Sequence, residues 1–344
     1  LSGLLTVVLA RHGSERLPGK VVADVCGTPL LAWTIRRLTH SATGISKPGT
    51  TIVATTDGKE DDEVEAVART VGVMAYRHAG DPNDVVGRVH AVVAAVPSAR
   101  WVFVALADCP FLDTGLVRRC HFALRKWGGD TTIWYLPPNV FPIYGAREMP
   151  WSRRAINLIH AGARGWEREH AFAWFNLHRE QFEILYHDPP EKIFFPHPHA
   201  MRLEVDWPED LEVVRVVARD GPGMLAPLEK VIRWLYKHED VARLNADRVE
   251  RSGPIRSYND DQRVGWFRLM RDAKMVTWDN ELRIPPKRGQ AYQIQCSCGG
   301  LLGWGHQGVL YHVDGHEVRD GFVRCAQCGT GLNWLEKKES NRGR

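Results

Sequence analysis

The residues best suited to chemistry lie in one short segment, Ala10-Arg11-His12-Gly13-Ser14-Glu15-Arg16-Leu17-Pro18-Gly19-Lys20. Its two glycines let backbone approach a ligand closely. Successive backbone N–H groups in such a loop form a nest for anions. Arg11, Arg16 and Lys20 place three cations within ten residues, enough to neutralise much of a triphosphate. A basic surface loop is the plainer reading. The position directly after an apolar run, the Arg/Arg/Lys spacing and the Leu-Pro-Gly turn together favour a phosphate grip. The segment contains neither G-x-G-x-x-G nor G-x-x-x-x-G-K-[ST], so it is neither a dinucleotide fingerprint nor a Walker loop.

Such a grip needs a rigid strand before it, and the first 135 residues supply alternating strands and helices. Strand patterns fall at Leu4–Ala10, Thr51–Thr55, Val73–Arg77, Trp101–Leu106 and Thr131–Tyr135. Helical patterns fall at Pro29–Thr39, Asp61–Val71, Val85–Val96 and Thr114–Lys126. This alternation predicts βαβ units, a mainly parallel sheet and an α/β fold. The unbroken apolar runs at Leu4–Ala10 and Trp101–Ala107 predict strands covered on both faces. Ligands of such sheets bind beyond the carboxyl ends of the strands, where Ala10–Lys20 and Asp108 fall. From Phe141 to Ala218 the pattern is mixed, with a short strand at Met201–Val205 and a helix at Pro208–Ala218. Leu225–His238 is a further helix. Asn259–Ala273 reads as helix and Lys274–Ile284 as a small hairpin.

Composition is that of an ordinary soluble chain. Of 344 residues, 44% are hydrophobic and 25% charged, with net charge +4, which suits a small anionic substrate without marking a nucleic-acid surface. No apolar run approaches the ~20 residues of a membrane helix. The run before Arg11 lacks the basic start and the length of a secretion signal, so a cytoplasmic protein is expected. The chain opens on Leu, which fits a trimmed or alternative start. Cys26, Cys109 and Cys120 are scattered, whereas Cys296, Cys298, Cys325 and Cys328 form two close pairs. Paired thiolates without an export signal read as a structural Zn²⁺ site, a zinc-ribbon-like module over residues 291–335. His306, His312 and His316 are spare ligand candidates, each more simply a surface residue. Trp304, Tyr311, Phe322 and Trp334 read as the core of that small unit. The expected domains are 1–245, a helix and hairpin connector at 246–290, the zinc module, and a charged tail at 336–344.

The phosphate segment also resembles a family. A-R-x-G-S-x-R-L-P-G-K at the end of a first strand looks like the cytidylyltransferases that make CMP-sugars, most closely the spore coat polysaccharide biosynthesis branch. Further motifs agree in order: Ala54-Thr55-Thr56-Asp57, Asp61-Asp62, Asp84-Val85-Val86-Gly87-Arg88 and Ala107-Asp108-Cys109-Pro110. Glu167-Arg168-Glu169-His170, Leu203-Glu204-Val205-Asp206-Trp207-Pro208-Glu209-Asp210-Leu211 and a closing Leu244-Asn245 follow. The resemblance covers about residues 4 to 245 and implies a three-layer nucleotide-diphospho-sugar transferase fold, CTP as donor, Mg²⁺ as cofactor and a homodimer. It places Ala10, Arg11, Gly13, Ser14, Arg16, Lys20 and Thr55 on the nucleotide, Arg88 near the cytosine, and Asp108 and Asp206 on Mg²⁺. Arg16, Lys20, Asp108 and Asp206 are then the catalytic set.

Each of these residues also has a plainer reading. Asp108 fits a turn or cap before Thr114, and Asp206 fits the start of the helix at Pro208. Asp210 reads as a surface or capping residue. Glu167–His170 reads equally as an acceptor or metal support and as an acidic helix start. His197 and His199, among prolines, read as loop residues. The chain departs from the family at Pro142–Glu148, where Ala146 and Arg147 replace expected acidic character, and at Trp207, where the family commonly has Thr. Both departures concern the acceptor more than the donor. The expected activity is transfer of CMP from CTP to a sugar acid or related alcohol. The alternatives are a glycosyltransferase or other nucleotide-sugar transferase of the same fold, and a nucleotide-binding adaptor whose zinc module recruits protein or nucleic acid.

Overall fold

The computed structural model describes residues 3–134, 149–170, 173–187 and 201–246, and as backbone alone Ile143–Tyr144 and seven short strands between residues 274 and 333. The strands β1 (Leu4–Leu9), β2 (Thr51–Thr56), β3 (Met74–His78), β4 (Trp101–Leu106), β5 (Thr131–Trp134), β6 (Pro150–Ser152) and β7 (Ile184–His187) form one sheet. Their order is β7-β5-β6-β4-β1-β2-β3, and Lys274–Val276 and Leu282–Arg283, an antiparallel pair, extend it beyond β7. Among β1 to β7 every pairing is parallel except those of β6.

The apolar run of β1 is covered on both faces, as its composition predicts. All six residues are buried, with Leu4 and Val8 facing one layer and Leu5, Val7 and Leu9 the other. The first layer holds α1 (Leu30–Thr39) and α2 (Asp62–Thr70), which contribute Leu31, Ile35, Leu38, Val64 and Val67. The second holds α3 (Val85–Ala95) and α5 (Arg153–Gly162), which contribute Val86, Val89, Val92, Ile156 and Ile159. α4 (Thr114–Trp127) packs Val117 into the first layer. A third apolar cluster joins α6 (Pro208–Arg219) to α7 (Leu228–Lys237) and buries Met201, Leu203 and Val205. Strand order reverses between β1 and β4, and the crevice at their carboxyl ends is the natural ligand position of an open α/β sheet.

The expected elements fall within a few residues of the observed ones, and the differences have local causes. Only Met201–Arg202 of the expected strand Met201–Val205 pairs, in parallel with Ile143–Tyr144. Beyond it the backbone turns to another partner, Val205 N donating to Asp108 O at 2.8 Å. α7 begins at Leu228 rather than Leu225, because Pro227 restricts the residue before it. β6 and α5 occupy a stretch read only as mixed, where a three-residue strand leads straight into a helix that buries Ala155, Ile156 and Ile159 on one face. No helix among the described residues is long and apolar enough to cross a membrane. The expected helix Asn259–Ala273 and all four paired cysteines lie outside the described residues.

One core residue is poorly matched to charge. His121 of α4 is fully buried, and among the described residues neither ring nitrogen has a partner. Burial, helped by Arg125, lowers its pKa to about 4. The unfolded chain takes up this proton near pH 6.5, the folded chain only near 4. Stability is therefore expected to fall as pH drops from about 6.5 toward 4. Thermal melts at pH 7.5 and 5 should show this fall, and His121→Leu should make it shallower.

Candidate active site

The loop after β1 is shaped from beneath by a residue that never reaches the surface. Asp61, fully buried at the start of α2, accepts from His12 N at 2.6 Å, Thr56 N at 2.9 Å and Thr56 Oγ1 at 2.5 Å. Burial raises its pKa, but these donors and the Thr55 hydroxyl outweigh burial and hold Asp61 below the usual carboxylate range. A charged carboxylate thus ties the loop to the end of β2. Ala10 N donates to Ala54 O at 3.2 Å, and Gly19 N closes the loop onto His12 O at 3.0 Å. Gly19 has φ 70, and a Cβ there would stand 3.1 Å from the His12 ring, so glycine is required.

The three loop cations point to different partners. Arg11 donates from Nη1 to Pro82 O at 2.8 Å and Asn83 Oδ1 at 2.6 Å, and its Nη2 lies 3.7 Å from Glu169. Arg16 Nη2 donates to Asp206 Oδ1 at 2.7 Å, and its guanidinium lies over Trp207, 5.8 Å from the ring centre. Lys20 Nζ donates to Asp108 Oδ2 at 2.5 Å and Asp206 Oδ1 at 2.7 Å. Burial works against charge on Lys20, yet Asp108 and Asp206 overcome it and raise its pKa. Asp206 is likewise pushed up by burial but held below its ordinary value by Lys20, Arg16 and Arg202. The structure thus brings Arg16, Lys20, Asp108 and Asp206 to one point of the crevice.

Asp206 is aimed by a buried network around Arg202. Arg202, only 4% exposed, donates to Asp206 Oδ2 at 2.6 Å, to Asp210 Oδ1 at 3.0 Å, and lies 2.7 Å from Glu204 Oε1. Asp210 also accepts from Asp206 N and Trp207 N at 2.9 Å and from Asn245 Nδ2 at 2.8 Å. Asp210 is therefore a capping residue, but a buried one and not a surface one. Burial pushes Glu204 up to about 7, with Asp206, Asp108 and Asp210 adding to it and Arg202 opposing.

The remaining candidates sit beside this point or under it. Thr55 is fully buried against Asp61. Arg88 is 2% exposed and donates to Pro82 O at 2.5 Å, and among the described residues its Nε has no partner. Burial lowers its pKa, against Asp61, Asp84 and Asp81. Glu167–His170 divides: Glu167 accepts from Arg164 N at 2.9 Å, and Arg168 grips both oxygens of Asp84, at 2.9 and 2.7 Å. Only Glu169 faces the loop, through Arg11. His197 and His199 lie outside the described residues, as does Pro142–Glu148 apart from the backbone of Ile143–Tyr144. Among the described residues no group of three or more His, Cys, Asp or Glu could hold a metal ion. Two aspartates converging on one amine do fit Mg²⁺, which takes one or two carboxylates and completes its shell with phosphate and water.

An open α/β sheet with a cationic loop and paired carboxylates at its switch point defines a nucleotidyltransferase of Rossmann-like fold. The family model for cytidylyltransferases matches residues 5–218, and the chain belongs to that family. It is similar to the spore coat polysaccharide biosynthesis protein SpsF of Bacillus subtilis, 27% identical over 70% of this chain and 98% of that one. It is also 29% identical to the 3-deoxy-manno-octulosonate cytidylyltransferase of Brucella ovis, over 37% of this chain and 48% of that enzyme. A solved cytidylyltransferase from Leptospira borgpetersenii shares the fold, with a TM-score of 0.60 at 21% identity, covering 71% of this chain and 98% of that one.

Asp61 is legible in the sequence only as part of the Asp61-Asp62 motif, with no role attached, and Arg202 is not singled out, yet a signal for Arg202 was present. Met201, Leu203 and Val205 alternate with Arg202, Glu204 and Asp206, a period of two that puts three charged residues on one face. The apolar three are buried in the core, and the charged three form the network. Removing Arg202 leaves Asp210 and one Asp206 oxygen buried without their cation. Arg202→Met is expected to cost about 3–5 kcal/mol, read as a fall in melting temperature of roughly 10 °C.

Proposed function

We propose that this protein transfers CMP from CTP to a hydroxyl of a sugar acid, releasing pyrophosphate, and that it does so in the cytoplasm. The observation that carries the reading is the meeting of Arg16 and Lys20 with Asp108 and Asp206 at the carboxyl ends of β1 and β4. The acceptor oxygen bonds to the α-phosphorus, the bond to the bridging α–β oxygen breaks, and the hydroxyl proton passes to solvent or a nearby base. Arg11, the backbone of Gly13, the Ser14 hydroxyl, Arg16 and Lys20 hold the triphosphate. Arg16 and Lys20 stabilise the charge that gathers on the departing pyrophosphate. Arg88, whose Nε has no partner among the described residues, is a donor for the nucleotide. Asp108 and Asp206 hold Mg²⁺, which supplies charge neutralisation at the phosphate oxygens. The Bacillus relative's name, a polysaccharide biosynthesis protein, supports a sugar as the acceptor class, and the octulosonate in the Brucella enzyme's name supports an acidic one.

Residues 291–335 form a second unit in this reading. Cys296 and Cys298 fall between the antiparallel strands Tyr292–Gln295 and Leu301–His306, and Cys325 and Cys328 between Phe322–Arg324 and Gly331–Asn333. Paired strands bracketing each cysteine pair support a structural Zn²⁺ held by the four thiolates.

Pyrophosphate release from CTP should appear with one or more members of a panel of Kdo, nonulosonic acids and phosphonates, and not with UTP, ATP or GTP. Absence of release with every acceptor, together with no CTP binding, overturns the donor assignment. Asp108→Asn should lower turnover at least about a hundredfold, consistent with loss of several kcal/mol of charge stabilisation. Elemental analysis should find one zinc per chain, lost in Cys325→Ser.

A further inference from the structure

The charges lining the crevice are spent on one another. Asp206 has one oxygen, Oδ2, committed to the buried Arg202 at 2.6 Å. Its other oxygen, Oδ1, is taken by Arg16 and by Lys20, each at 2.7 Å. Asp108 Oδ2 is taken by the same Lys20 amine at 2.5 Å. Among the described residues, Lys20 Nζ is thus the one atom on which both carboxylates converge. An ammonium there and a divalent cation on the same two oxygens exclude each other, because Mg²⁺ needs its ligands at about 2.0–2.1 Å and the two charges repel.

The loop that supplies Lys20 and Arg16 is also the loop shaped to receive phosphate. A polyphosphate seated in it offers both side chains charge-assisted bonds. Lysine is suited to such a transfer, being a compact point charge on a flexible stem. Arg202 stays behind, so Asp206 keeps its aim when the loop cations leave.

We propose that Lys20 is an exchangeable counter-ion that holds the Asp108–Asp206 pair closed until a polyphosphate draws it away, making divalent-cation binding conditional on the nucleotide. This rests on the assignment of the divalent cation to Asp108 and Asp206. Because coupling between two binding sites is reciprocal, the cation tightens nucleotide binding by the same factor. A Lys20 that served only as a structural strut would stabilise the fold without opposing a cation.

The test titrates Mn²⁺ into the full chain without nucleotide and reads free Mn²⁺ by electron paramagnetic resonance, with near-ultraviolet circular dichroism confirming the fold. Lys20→Met should bind Mn²⁺ more tightly than wild type by about tenfold, the factor expected when the open pair is populated about a tenth of the time. Lys20→Arg keeps the charge and should remain weak. Lys20→Gln provides a second neutral variant should Lys20→Met not fold. The gain should vanish in Lys20→Met with Asp108→Asn. Mn²⁺ binding that depends on Asp108 but is no tighter in either neutral variant overturns the exchange alone. Mn²⁺ binding indifferent to Asp108→Asn in every protein overturns the cation assignment as well.

Discussion

The contact on which the rest of the site depends is the Lys20 amine between Asp108 and Asp206. Its partners lie 88 and 186 residues away in the chain. It therefore joins the loop after β1, the end of β4 and the segment entering α6. None of the three groups is freely hydrated, with side-chain exposures of 11%, 21% and 12%. Charges that are this enclosed survive only when paired and hydrogen-bonded, since removing one partner leaves the others stranded. The fold satisfies this need twice, with Lys20 on the ligand side of Asp206 and Arg202 on the core side.

That arrangement explains why the surrounding elements are so regular. β1 is buried along its whole length, and its end, together with that of β4, fixes the spacing between the loop and Asp108. Val205 N, bonded to Asp108 O, then draws the segment carrying Asp206 to the same place. Asp61 performs the corresponding task under the loop, holding His12 N from the end of β2. Precision at the crevice comes from strand ends and buried carboxylates, while the loop contributes the cations.

Elements with strong periodicity were legible in the sequence, and so was the point where they converge. β1, β2, β4 and α1 to α4 stand within two residues of expectation, because each is a run long enough for burial to impose its period. β6 was not legible: three residues cannot display a period, and its place between β4 and β5 is decided by pairing across the chain. At the site, Arg11–Lys20 and Asp108 could be read because each follows a recognisable strand. Asp61 stood in the Asp61-Asp62 motif, but its role could not be read, since an acidic residue starting a helix has an adequate local explanation, and only the folded loop reveals its partner His12 N. Asp210 shows the same limit: its capping role was visible, but its burial depends on Arg202 and Asn245, which approach from elsewhere.

The choice of cation at each position follows from what that position must do. Arg202 serves three carboxylates at once, and a planar fork with several fixed donors suits a residue that is to stay in place. Lys20, carried by the loop after β1, faces two carboxylates. A guanidinium there would bind one carboxylate well and leave it reluctantly, whereas an ammonium on a flexible stem can exchange one oxygen ligand for another. Arg16, half exposed, lies between these cases, its guanidinium over Trp207 and bonded to Asp206 Oδ1. The Trp207 indole lies directly beside it. It gives this crevice an aromatic wall next to Asp206.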